Sequence, residues 1–296
     1  MTQRLTRLAV VVLLAHGPLG APGTGPRHGD QPTIAPPRYY VALGDSYAVG
    51  FQPGESLYRH GYANQVVNDA RRRGQRLQLV NFGCNGATTT TLLDATSCVH
   101  PATHGAPYGG LSQAAAAERF LAMHRGQIAL VTVSIGFNDY LPCVGTANLE
   151  RCLGQPARTR RVEANVAMLS AGLRAAVGPG VLIVGLTYPD VVLGRWVRLV
   201  DRPLAAQSVD IFRTLINPAL QEAYFAVGGA FLDVTDATGA YIPLTETVNL
   251  KPYGRIPTAV AKICELTYYC RLRDPHPDTN GYRVIADLIV AALPRA

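Results

Sequence analysis

Several familiar signals are missing from this chain, and each absence removes a class of function. The apolar run nearest its start, Leu8 to Ala15, is too short to span a bilayer. No basic stripe interleaved with aromatic residues is present, and Arg71-Arg72-Arg73 reads as the solvated end of a helix, so nucleic acid is not an expected partner. The cysteines lack the paired Cys-x-x-Cys spacing of a zinc site. His100 and His104 are spaced i, i+4, but Pro101 and Gly105 argue against the helix that would put them on one face. No metal and no cofactor is therefore expected. There is no internal repeat. Charge is low as well: 16% of the 296 residues are charged against 48% hydrophobic, and the net charge of +7 includes Arg4 and Arg7 near the start. That composition excludes a disordered chain and points to a globular protein with a sizeable core.

What is present begins with an address. Arg4 and Arg7 precede the apolar run, and small residues and proline follow, the pattern of a secretory signal. The expected organisation is a signal peptide over residues 1–21, a Gly- and Pro-rich leader over 22–37, and one folded domain over 38–296. Leu19-Gly20-Ala21 suits cleavage although Pro22 follows it, and no cysteine lies nearby to carry a lipid. Six cysteines agree with export to an oxidising, extracellular compartment. They fall in local couples, Cys84 with Cys98, Cys143 with Cys152 and Cys264 with Cys270, and proximity favours pairing within each. In the chain-entropy model, a bridge closing a loop of about the first couple's size contributes roughly 3 kcal/mol.

Hydrophobic patterning then alternates strands with helices. Strands are expected at Tyr39–Leu43, Leu77–Phe82, Ile128–Ile135, Val181–Leu186 and Phe231–Val234. Helices are expected at Tyr62–Arg73 with Gly74 as the stop, from Ser112 to His124, at Arg158–Val177, and over Leu204–Val227 with a break near Pro218. A last helix carries Tyr282, Ile285, Ala286, Ile289 and Val290 on one stripe, with Asp278 or Asn280 as its cap. The alternation implies an α/β fold with a parallel sheet covered on both sides. Thr235–Cys270 departs from it, and is read as either a wall of the substrate pocket or a surface insertion. Trp196 and the tyrosines from Tyr241 to Tyr269 could line an acyl pocket or simply pack.

Chemistry gathers where these strands end. Gly44-Asp45-Ser46-Tyr47 follows the first strand, at the sheet rim where α/β proteins place ligands. A serine hydroxyl is a weak nucleophile without a base and oxyanion donors, and alone this tripeptide is equally a turn or a helix cap. Asn85-Gly86-Ala87-Thr88 offers a backbone N–H unobstructed by a side chain at Gly86, and Gly136-Phe137-Asn138-Asp139 offers the Asn138 amide. Asp274-Pro275-His276-Pro277 supplies an imidazole with a carboxylate near it. Asp139 is read as a local bond that fixes the Asn138 loop, and Asp190, Asp233 and Asp236 as ordinary caps.

These four blocks, in this order, resemble those of the SGNH (GDSL-type) hydrolases over most of the chain from Tyr39 to about Leu293. The Asn-x-x-Cys-x-Gly-Ala-Thr look of Asn81 to Thr88 and the three cysteine couples are similar to its secreted actinobacterial esterases and lipases. The resemblance implies a flavodoxin-like, three-layer α/β/α sandwich with a five-stranded parallel sheet. It implies Ser46 as nucleophile, His276 as base, and an oxyanion hole from the Ser46 and Gly86 backbone N–H groups and the Asn138 side chain. Ser46 lacks the Gly-x-Ser-x-Gly elbow of the α/β-hydrolases. Two departures stand out. Tyr47 replaces the usual leucine after the serine, and Arg273 occupies the usual place of the acid, three before the histidine. Either the Asp274 carboxylate or the Arg273 carbonyl then orients His276. The expected protein is a monomeric, secreted serine esterase or lipase acting on small-molecule or lipid esters, with brief contact with a lipid surface. A carbohydrate O-acetylesterase and a non-catalytic binding protein on the same scaffold are the alternatives.

Overall fold

The structure, a computed structural model, describes residues 38–144, 151–152 and 155–294. The signal peptide and leader expected over residues 1–37 lie outside them. Five strands, β1 (Arg38–Gly44), β2 (Leu77–Asn81), β3 (Ile128–Ser134), β4 (Leu182–Leu186) and β5 (Ala230–Leu232), stand within about one residue of their expected ends, except that β5 stops two short of Val234. All pair in parallel, in the order β2-β1-β3-β4-β5. The β-branched and aromatic run of β1 is wholly buried from Tyr40 on, and β3 is nearly so, because helices cover both faces. Tyr62–Arg72 packs on Thr279–Ala292 in one layer; Gln113–Met123, Pro156–Val177 and Asn217–Phe225 pack together in the other. The architecture is the α/β/α sandwich.

The strand order decides where a site can form. The chain runs outward from β1 to β2, then crosses back to β3 on the other side of β1. The crossovers leave β1 and β3 in opposite directions, opening a crevice beyond their carboxyl ends. There Gly44 pairs with Ser134 in the register. Gly44 is held at φ +129°, and a Cβ on it would lie 1.9 Å from the Ser134 carbonyl oxygen, so only glycine fits.

Two expectations change on the way. The helix over Leu204–Val227 is three pieces: Arg202–Ile211, a π turn at Phe212–Ile216, and Asn217–Phe225. Pro218 has no N–H to donate back into the preceding turn, and the widened turn just ahead of it absorbs the mismatch. Thr235–Cys270 builds its own small core. The hairpin of β6 (Thr247–Leu250) and β7 (Gly254–Pro257) and the helix Thr258–Leu266 bury Ile256, Val260 and Ile263 against Leu193. All three cysteine couples are bonded as expected. No helix among the described residues is long and apolar enough to cross a membrane.

Candidate active site

Ser46 opens a single-turn helix, Ser46–Val49, directly after β1. The turn forms because Asp45 is its cap: Asp45 Oδ1 accepts the Tyr47 N–H at 2.9 Å, and Gly50 closes the other end in the left-handed region. Asp45 Oδ2 accepts the Tyr188 phenol at 2.6 Å. Burial pushes the Asp45 carboxyl up to about 7 against the pull of these hydrogen bonds. The Asp45 N–H is donated to the Ser134 carbonyl at 2.9 Å, and Gln113 brackets Gly44 through its N–H (2.7 Å) and its carbonyl (3.1 Å). The serine therefore rides on a strand end held by hydrogen bonds to β3, to Gln113 and to Tyr188.

His276 reaches it from 230 residues away. Its Nε2 lies 2.7 Å from Ser46 Oγ, and its Nδ1 lies 2.7 Å from Asp274 Oδ1. The carboxylate can only accept, so Nδ1 carries the proton and Nε2 is left to accept the Ser46 hydroxyl. Asp274 Oδ1 also takes the His276 backbone N–H at 3.0 Å. Burial works to raise the Asp274 carboxyl, but the hydrogen bond and charge of His276 outweigh it and hold the group below its ordinary value. Of the two partners left open by the sequence, the carboxylate of Asp274 is the one bonded to Nδ1.

Ser46, Gly86, Asn138 and His276 share one cavity of about 710 Å³. Gly86 sits at φ +78° with open space where a Cβ would be. Asn138 donates one amide hydrogen to the Ala87 carbonyl at 2.9 Å, which fixes the amide plane and leaves its second hydrogen for another acceptor. Ser46 is the first residue of its turn, so its N–H has no partner within the helix. A hydroxyl, a base and three such donors on one wall are the parts that acyl transfer requires. Asp139 does more than fix its own loop. It accepts the Thr89 N–H and hydroxyl, both at 2.8 Å, and so clamps the Asn138 block onto the Gly86 block.

A model of the GDSL-like lipase/acylhydrolase family matches residues 42–284. The chain belongs to that family. Membership makes it a serine hydrolase of ester bonds. An acetyl xylan esterase from Geobacillus stearothermophilus is 15% identical with a TM-score of 0.50, covering 86% of this chain and 93% of its own. A psychrotrophic esterase from Pseudoalteromonas sp. is 13% identical with a TM-score of 0.43, covering 86% and 96%. A G-D-S-L family lipolytic protein from Veillonella parvula is 12% identical with a TM-score of 0.45, covering 87% and 99%. No curated protein matches the chain.

The remaining wall of this GDSL-family cavity comes from residues for which the sequence implied no pocket role. Phe51 and Tyr58 come from the loop after Ser46, Val99, His100 and Pro101 from the loop that follows Cys98, and Phe137 and Leu141 from the helix Phe137–Val144 directly after β3. The couple Cys84–Cys98 was the available signal, since it ties the second loop to the Gly86 block. Thr235–Cys270 contributes no residue to this wall, and neither does Trp196. Its apolar residues face Leu193 and the helix Thr258–Leu266, with Trp196, Tyr241 and Tyr253 packed at the edge of that cluster. His100 lines the cavity while His104 faces elsewhere. Asp190 and Asp233 are caps, accepting from the Val192 and Asp236 N–H groups.

Proposed function

We propose that this GDSL-family hydrolase is a secreted esterase or lipase, akin to the secreted actinobacterial members of its family, that acts through an acyl-Ser46 intermediate. The carrying observation is the 2.7 Å contact between Ser46 Oγ and His276 Nε2 on the wall of the cavity. His276 Nε2 takes the Ser46 proton as Oγ attacks the ester carbonyl, and Asp274 stabilises the imidazolium formed. The Ser46 and Gly86 N–H groups and the Asn138 amide receive the oxyanion. Collapse breaks the bond to the alcohol, whose oxygen takes the proton from Nε2. Water then gives a proton to Nε2, attacks the acyl carbon, and releases the acid as the proton returns to Ser46. No step needs a metal or cofactor.

The substrate reading follows from the wall. Phe51, Tyr58, Phe137 and Leu141 offer an apolar lining beside Ser46, suited to an acyl chain longer than acetyl. Val99 and Leu141 stand 81% and 41% exposed at its rim, where a lipid surface can meet them during a brief encounter. The three disulfides support an oxidising, extracellular address for a domain starting near residue 38, after the signal peptide and leader.

Fluorophosphonate labelling of the wild type but not of Ser46→Ala, with kcat reduced on the order of a thousand-fold or more in that variant, is the expected result. A variant turning over near the normal rate ends this reading. A p-nitrophenyl ester series should favour chains longer than acetyl; preference for acetyl would transfer the assignment to carbohydrate O-acetyl esters.

A further inference from the structure

The segment that carries the base is poorly equipped to hold itself in place. Pro275 and Pro277 have no N–H, so one amide hydrogen exists between them, that of His276, and Asp274 Oδ1 already takes it at 3.0 Å. The segment must be anchored through its carbonyls. The His276 carbonyl accepts the Tyr268 N–H at 3.0 Å, which ties it to its own neighbourhood in the chain. The Pro275 carbonyl accepts the Tyr47 phenol at 2.7 Å, which ties it to the residue next to Ser46. The Phe51 ring also packs on the His276 ring at 4.5 Å, a contact without a donor, and the other hydrogen bonds between the two regions lie further out. Tyr282 bonds the Phe51 carbonyl, and Tyr268 and Thr279 bond the Gln52 side chain.

The phenol is itself well placed. Tyr47 is 2% exposed, with its ring edge-on to Tyr188 at 4.8 Å and to Tyr282 at 6.0 Å, and tilted against His276 at 5.9 Å. Packing fixes the ring, so the hydroxyl needs no rotamer freedom to find its acceptor. Burial, with the Asp45 and Asp274 charges behind it, pushes the phenol well above its ordinary range and keeps it a donor at any working pH. A leucine here would fill the space and donate nothing.

We propose that Tyr47 is a positioning residue, whose hydroxyl holds the Pro275 carbonyl and thereby sets the gap between Ser46 Oγ and His276 Nε2. The inference rests on the reading that Ser46 and His276 carry the chemistry. It adds that their contact is held by a hydrogen bond one residue away on each side. Proton transfer is sensitive to this gap, and a shift of about 1 Å in a catalytic contact can cost on the order of 100-fold in rate.

Tyr47→Phe tests it, because the ring stays and only the donor goes. The expected result is a fall of roughly tenfold in kcat and in the rate of fluorophosphonate labelling, with KM within about twofold of wild type. The low-field proton resonance of the Asp274–His276 hydrogen bond should broaden or shift in the same variant. Tyr47→Leu should lose at least as much kcat and some thermal stability. Tyr47→Phe with wild-type kcat and a lowered unfolding temperature would reduce Tyr47 to packing; a raised KM with unchanged kcat would make it a pocket residue. Either outcome overturns the proposal. Ser46→Ala separates the two levels: if that variant keeps its rate, the reading of the site fails, and if it is dead while Tyr47→Phe is normal, only the role of Tyr47 fails.

Discussion

The two halves of the Ser46–His276 contact are held by different physics. Ser46 stands at the end of a buried strand, with Gly44 pressed on the backbone of β3 and Asp45 bonded on both carboxylate oxygens. His276 stands on an irregular segment between two prolines, held by a few hydrogen bonds: its carbonyls accept from the Tyr47 phenol and the Tyr268 N–H, and Asp274 accepts from the His276 N–H and Nδ1. The serine end is positioned by the same packing that makes the sheet, so it cannot be loosened without cost to the fold. The histidine end is positioned by local polar contacts, so it can be displaced while the fold survives. Damage to the first should register mainly as stability, and damage to the second mainly as rate.

Substitutions at the two ends should therefore behave oppositely. The largest effect is expected from Gly44→Ala, whose Cβ meets the Ser134 carbonyl oxygen at 1.9 Å in a backbone region closed to alanine. It should cost more than about 4 kcal/mol, read as lost soluble expression or a collapsed denaturant midpoint. A midpoint near wild type would break the comparison at its stronger side. Asp274→Asn should lower kcat on the order of 10²- to 10⁴-fold, since Nδ1 loses the carboxylate that fixes the tautomer. Its chemical unfolding should move by less than about 1 kcal/mol, as is usual for partly exposed polar sites. A rate loss under threefold would return the orienting role to the Arg273 carbonyl.

Removing the Cys84–Cys98 bridge by paired serine substitution releases the loop that carries Val99, His100 and Pro101. About 2–3 kcal/mol of stability should go with it, and KM should rise more for long acyl chains than for short ones. An unchanged chain-length profile would remove that loop from the acyl wall. The last comparison concerns pH, and its sign differs between the ends. Asp45 is pushed from 3.8 up to about 7, so its folded form holds a proton that the unfolded chain has already lost. Its contribution is full at acid pH, declines as pH rises between those values, and is flat above. Asp274 is held below its ordinary value, so its contribution is present at neutral pH and is lost as pH falls through the folded value. Asp45→Asn should flatten the stability curve between about pH 4 and 7, and Asp274→Asn should flatten it only below about pH 4. Identical curves for the two variants would deny that the ends sit in different environments.

Reading the residues in order recovered all five strands of the sheet, because a strand buried on both faces must be nearly continuous in apolar side chains, as Ile128–Ser134 is. Ser46, Gly86, Asn138 and His276 were legible for a related reason. Each follows the end of a strand or precedes a capped helix, where a polar cluster after an apolar run is conspicuous. The cavity wall was not legible. Phe51, Tyr58 and Val99 lie in loops without periodicity and Leu141 in a short helix interrupted by Pro142, and an apolar residue in such places looks the same whether it packs or lines a cavity. Of the two readings of Thr235–Cys270, a pocket wall and a surface insertion, the first fails for the converse reason: its apolar and aromatic residues pack into a second cluster with Leu193 and leave none on the cavity wall.

Periodicity and local chemistry, which are properties of short stretches, determined the α/β alternation, the cap at Ser112, and the residues able to form a hydrolytic site, while the structure chose Asp278 over Asn280 as the last cap. Only the tertiary structure decided that Asp274 rather than the Arg273 carbonyl meets His276, that Asp139 clamps Thr89, and that the Tyr47 phenol reaches Pro275. The physical reason is distance along the chain. Propensity and patterning act over a few residues, whereas these contacts depend on how a turn at the end of one strand faces a loop that the chain reaches after crossing the sheet, and on differences of a few ångströms that no linear pattern encodes.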